Sequence, residues 1–236
     1  MCVRVLGDIV ARGRRSDDVA LRVAATGREY SYRDFCTTAW KAGHALSHLG
    51  VHAGSRVALA PDPAPQPLLT LFGAACLGAR VTFDTAAEAR AVLVPSGSED
   101  DAGERPGRKV IVYGDAPTDP GVAHWEETVW SENPAMPPGE RTADESVLDA
   151  DGRSFTHRDV LRAAEAVVDR TGFDADAAVA LRSPLTDPRA VVAGVVAPLS
   201  VGGTVVLPDE EADADVTVAD AGGGEEETFH LSDVSL

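Results

Sequence analysis

Apolar positions in this 236-residue chain follow a helical period from Phe35 through Ala39, Ala42 and Leu46 to Leu49, a stripe along one helix face. Ser31 and Asp34 stand before it in capping-box-like spacing and Gly50 follows it, so a helix is expected between them. "RVALA" then reads as a short strand, "PQPLLTLFGAACLG" as an apolar helix with proline near its start, and "ARVTF" as a strand. "ARAVLV" and "RKVIVYG" add strands, "HWEETVW" a short helix, and "SEDDAGERPG" an exposed loop. A helix after Thr156 turns Val160, Leu161, Ala164, Val167 and Val168 inward and ends at Gly172. "AAVAL", "TVVLP" and "DVTVA" read as strands, and "DPRAVVAGVVAPLSVGG" as one buried helix. Alternating strands and helices predict an α/β fold, a parallel sheet with helices on its faces.

The proline-rich connector "ENPAMPPGERTADE" divides this pattern. It gives a first α/β subdomain over 1–140, a second α/β segment over 141–220, and an acidic tail over 221–236 in which "DAGGGEEE" reads as a solvated loop or frayed end. "GREYSYRDF" and "GRSFTHRDV" share a turn, a strand residue pair and a helix N-cap. With no third copy, that echo reads as local convergence.

Charge narrows the partners. The chain has 21 basic and 38 acidic side chains, a net charge of -17, so its field repels nucleic acid and anionic lipid. Lys41 and Lys109 are its only lysines, and the acids are spread along the whole length. That pattern resembles proteins of extreme halophiles; the alternative is an ordinary acidic protein from a GC-rich genome. Cys2, Cys36 and Cys76 form no C-x-x-C pair, and buried thiols are expected. "MCVRVLGDIVARGRR" lacks the apolar core of a secretion signal, and no apolar run reaches membrane-spanning length, so the expected location is cytoplasmic.

The stretch from "GREYSYRDF" through "LGVHAGSRVALAPDPAPQPLLTLFGAACLGARVTF" resembles the amino-terminal part of adenylate-forming enzymes, the acyl-CoA synthetase, adenylation-domain and luciferase superfamily. "HWEETVWSENPAMPPGE" is similar to the segment leading into their phosphate loop, "THRDVLRAAEAVV" to the helix after it, and "VVAGVVAPLSVGGTVVLPD" to the next helix and strand. The resemblance runs from Leu6 to about Asp209. It implies ATP or AMP with magnesium as cofactor, and an acyl or nucleotide small molecule as ligand. It also implies a Ser-, Thr- and Gly-rich phosphate loop ending near a lysine. The aligned stretch reads "ESVLDADGRSFTHRD", in which Gly152, Arg153, Ser154 and Thr156 are the candidate cofactor-binding residues. Asp149 and Asp151 would repel a triphosphate unless a metal bridged them, and "DADG" suits a tight hairpin turn. Both readings, hairpin and metal-bridged site, stand at this point. A calcium loop would need a closing Glu where Val160 stands. "SPLTDPR" puts Thr186 and Asp187 where the family often carries an aromatic and a His, and the family's later nucleotide motifs and catalytic-lysine domain match nothing here.

Other candidates are weaker. His44 and His48 lie four apart on a helix, opposite the apolar stripe, without a ligand motif to complete a metal site. Ser154 and His157 have the residue types of a nucleophile and base, with no oxyanion donor to name. Trp40, Trp125 and Trp130 are expected to pack in the core. These readings lead to a degenerate, non-catalytic relative acting as a binding or regulatory subunit, through self-association or with another chain. The rivals are a split carboxylate-activating ligase and a small-molecule sensor.

Overall fold

The computed structural model describes residues 3–100, 102–103, 105–207, 216–219 and 228–236. Cys2, Asp101, Glu104 and the expected solvated loop at 220–227 lie outside them. The hairpin β1 (Val19–Val23) and β2 (Arg28–Ser31) leads into α1 (Tyr32–His48), then β3 (Arg56–Leu59), α2 (Pro65–Leu77), β4 (Arg80–Thr82), β5 (Ala91–Pro95) and β6 (Lys109–Tyr113). After β7 (Ala123–His124) and α3 (Trp125–Ser131), the hairpin β8 (Ser146–Ala150) and β9 (Arg153–Thr156) begins a second run of the same kind. It continues through α4 (His157–Thr171), β10 (Ala178–Leu181), α5 (Pro188–Val191), α6 (Ala197–Val201), β11 (Thr204–Leu207), β12 (Val216–Ala219) and β13 (Thr228–His230).

Two sheets form where the sequence pattern suggested one. Among the described residues their orders are β7-β6-β5-β3-β4-β8-β9 and β13-β12-β10-β11-β1-β2, parallel except for the antiparallel hairpin pairs β8–β9 and β1–β2. Each hairpin therefore completes the sheet built by the other run. Residues 1–140 and 141–220 each contribute to both sheets, because pairing is set by contacts between distant segments that no local period encodes. The expected tail is also part of a sheet in its described portion: β13 pairs with β12, and Phe229, Leu231 and Val234 are buried.

The sequence echo is thus architectural rather than a local coincidence. Tyr32 and Arg33 donate backbone N–H groups to Asp18 O and Ser16 O, and His157 and Arg158 repeat this on Glu145 O and Ala143 O. Arg33 pairs with Asp17 at 2.9 Å and Arg158 with Asp144 at 2.8 Å. Arg14 donates to Leu199 O near the end of α6, and Arg141 to Cys76 O near the end of α2, cations placed at helix C-termini in the other run.

The helix caps follow the sequence signals. Ser31 accepts from Asp34 N–H, while Thr156 and Asp159 form a reciprocal capping box that holds the Asp159 carboxyl below its usual range. Phe35, Ala39, Ala42 and Leu46 are buried, as are Val160, Ala164 and Val167; Leu49, Leu161 and Val168 lie partly exposed against the core. The expected single helix over 187–203 is interrupted by a π turn at Val192–Val196, because Pro198 has no N–H to give the carbonyl four residues back. Trp40 donates to Val10 O and Trp125 to Thr70 Oγ1, both indoles being buried. Trp130 departs from the expectation: it is 83% exposed and lies over the Lys41 ammonium.

Helices α1 and α2 meet backbone to backbone at Gly43 and Gly73. A Cβ on Gly73 would stand 2.6 Å from both Ala39 O and Gly43 N. Glycine weakens a helix interior, so its presence here serves the close approach. Replacing Gly73 with Ala is expected to cost about 2 kcal/mol in urea unfolding, since the crossing must open to admit the methyl group. A loss under ~0.5 kcal/mol would show that the crossing yields freely.

Candidate functional site

A cleft of about 690 Å³ opens where the β8–β9 hairpin, the loop after β4 and the segment before α5 converge. Apolar side chains Phe83, Leu148 and Leu185 line it together with Pro61 and Pro188. Arg56, Asp84, Asp149, Asp151, Arg153, Ser154 and Thr186 supply its polar groups. Gly152, Arg153 and Ser154 all face it, whereas Thr156 is taken up as the N-cap of α4.

The hairpin reading of "DADG" is the one the structure supports. Ala150 pairs with Arg153, leaving a two-residue turn in which Asp151 has φ 52° and Gly152 φ 73°. Two positive φ angles define a type I′ turn, the geometry whose twist matches that of the flanking strands.

Asp149, 8% exposed, is the electrostatic centre of the cleft. Its Oδ2 accepts from Arg56 Nε at 2.7 Å and lies 3.3 Å from an Arg80 guanidinium nitrogen; its Oδ1 accepts from Ser154 Oγ at 2.6 Å. Arg56 and Arg80 sit side by side in the β3–β4 register, so the carboxylate separates two like charges. Neither arginine is singled out by the sequence reading.

These residues do not fit the triphosphate of ATP. The hydroxyls of Ser154 and Thr156 already donate to Asp149 and Asp159, and Asp84, Asp149 and Asp151 bring negative charge to the same cleft. Asp149 has two arginines and a serine as partners. Among the described residues no group of three or more His, Cys, Asp or Glu is placed to hold a metal ion.

The remaining candidates have structural roles. His44 Nε2 lies 2.9 Å from Ala135 O and His48 Nδ1 2.6 Å from Glu132 Oε1, so both fasten the connector to α1. His157 does not face Ser154: it is fully buried, and its Nδ1 accepts from Leu6 N–H at 3.1 Å. Cys36 and Cys76 are buried free thiols pushed up by burial to about 11 and about 12. No helix among the described residues is long and apolar enough to cross a membrane.

No known family profile matches the chain, and no curated protein matches it in sequence. Solved structures do match. An anthranilate CoA ligase in complex with anthranoyl-AMP is 18% identical with a TM-score of 0.79, over 93% of this chain and 50% of that one. A benzoate CoA ligase from Burkholderia xenovorans LB400 is 22% identical with a TM-score of 0.77, over 92% and 50%. ATP-bound MatB from Rhodopseudomonas palustris is 17% identical with a TM-score of 0.71, over 90% and 49%. The chain spans about half the length of these ligases. Its two interlocked sheets have the fold of the amino-terminal part of adenylate-forming acyl- and aryl-CoA ligases.

Proposed function

We propose that this chain is a non-adenylating relative of the adenylate-forming ligases, a binding or regulatory module whose cleft takes a small molecule with an apolar body. One observation carries the reading: the Asp149 carboxylate stands in the cleft between Arg56, Arg80 and Ser154 and engages all three. Adenylation depends on donors aimed at developing phosphoryl charge, and here those donors are spent on an internal anion. Phe83, Leu148 and Leu185 leave an apolar wall for an acyl or aryl group. In this reading the module acts in an assembly, with a second copy or another chain.

Incubation with Mg-ATP and a panel of aliphatic and aromatic carboxylates is expected to release no pyrophosphate above a protein-free blank. Calorimetry is expected to show heat with a non-hydrolysable aryl-adenylate analogue. Pyrophosphate release that Arg153→Gln abolishes would overturn the reading. A second reading, a ligase completed in trans, draws on the chain's spanning about half of the ligases it matches. It requires release to begin when a complementary chain is added.

A further inference from the structure

Four parallel strands of one sheet begin at an arginine. Arg56 and Arg80 are the first residues of β3 and β4, Arg90 immediately precedes β5, and Arg108 immediately precedes β6. In the order β6-β5-β3-β4, parallel pairing brings these starts to the same sheet edge. The backbone ties the row together, with Arg90 N–H donating to Arg56 O and Lys109 N–H to Arg90 O. Adjacent strands lie about 4.8 Å apart, so the row gathers several positive charges within reach of one polyanion.

Arg105 joins them from the loop before β6, and the five guanidinium groups line a cavity of about 640 Å³. Arg105 donates to Ala86 O, Arg90 to Gly50 O and Gly107 O, and Arg108 to Ala102 O and Thr85 O. Among the described residues none of these three makes a direct ion pair with a carboxylate; backbone carbonyls fix their orientation. Arg108 Nε is buried without a partner, and burial together with neighbouring Arg105 pulls the Arg108 pKa down. Among the described residues, Glu88 lines the cavity, Asp149 pairs with both Arg56 and Arg80, and Asp84 acts electrostatically on Arg108, so five arginines stand against three carboxylates. In a protein of net charge -17 such a cluster repels itself unless an anion joins it.

The geometry points to a second binding site on this strand-start edge, taking a small anion with linked phosphates, such as the diphosphate portion of a nucleotide or a phosphorylated metabolite. Planar guanidinium forks suit phosphate oxygens better than point charges do. The cavity has the volume of a small-molecule site. It is separate from the cleft described above except that Arg56 touches both.

Pyrophosphate and inorganic phosphate serve as probes in calorimetric titrations at low ionic strength. Pyrophosphate is expected to bind more tightly than phosphate, with a Kd that rises as salt is added. Arg90→Gln and Arg105→Gln, both exposed side chains, are each expected to weaken it about tenfold, a change of ~1.4 kcal/mol. Arg153→Gln, in the other cleft, is expected to change nothing. Absence of pyrophosphate binding, or binding indifferent to Arg90 and Arg105 and lost with Arg153, overturns the proposal. Because the two clefts are read by different variants, either proposal can fail while the other stands.

Discussion

Truncating Asp149 to Ala lowers the unfolding free energy by about 3 kcal/mol, measured as a shift of the urea midpoint at unchanged slope. Two guanidinium groups, on Arg56 and Arg80, would then face each other with no carboxylate between them. Both arginine side chains are about one-third exposed, which places the loss at the lower end of the range for breaking a buried pair. Asp149→Asn keeps an acceptor for Ser154 Oγ and loses only the charge, so its cost is expected to be smaller. A loss below ~1 kcal/mol for Ala would mean that solvent screens the two cations without help.

Acidification provides the second large effect. Burial pulls His157 from its ordinary 6.5 down to about 4, outweighing the opposing pull of Glu145 and Asp8. Its ring must stay neutral, because Nδ1 accepts from Leu6 N–H while Nε2 has no partner. Above pH 6.5 the imidazole is neutral in both folded and unfolded chains, and its full contribution is present. Below 6.5 the unfolded chain takes up a proton that the folded one refuses, and stability falls until the pH reaches about 4. The loss amounts to roughly 3 kcal/mol. Acidification also relieves repulsion among the 38 acidic residues, so the wild type must be compared with His157→Gln at each pH. The stability difference between them should shrink from pH 7.5 to pH 4.5, and a constant difference would remove His157 as the titrating group.

Much of the local structure was written in the sequence. The Phe35–Leu46 stripe, the caps at Ser31 and Thr156, and the "DADG" turn each depend on residues a few positions apart, where period and turn chemistry are informative. The exchange of hairpins was not legible, because it rests on pairings such as Leu21 with Val205 across most of the chain. The π turn had a local cause in Pro198 that a continuous apolar pattern concealed. For the cleft, Asp149, Gly152, Arg153 and Ser154 could be singled out; that Asp149 would hold Arg56 and Arg80 needed the order of the strands. The arginine edge left one local trace, an arginine just ahead of the valine-rich runs "RVAL", "RVT", "RAVLV" and "RKVIV". Its meaning emerges only once those strands run parallel and adjacent.

The interlocking of the two sheets also imposes a schedule on synthesis. The β1–β2 hairpin leaves the ribosome well before the strand it pairs with, β11 at Thr204–Leu207. At ordinary translation rates the hairpin waits roughly ten to forty seconds for its neighbour. The β8–β9 hairpin has no such wait, since β4 precedes it. One sheet can therefore close while the chain is still growing, and the other remains open along the edge of β1 until β11 has been made. For that interval the nascent chain carries an unpaired strand rich in valine and leucine, the state in which pairing with a neighbouring nascent copy is easiest.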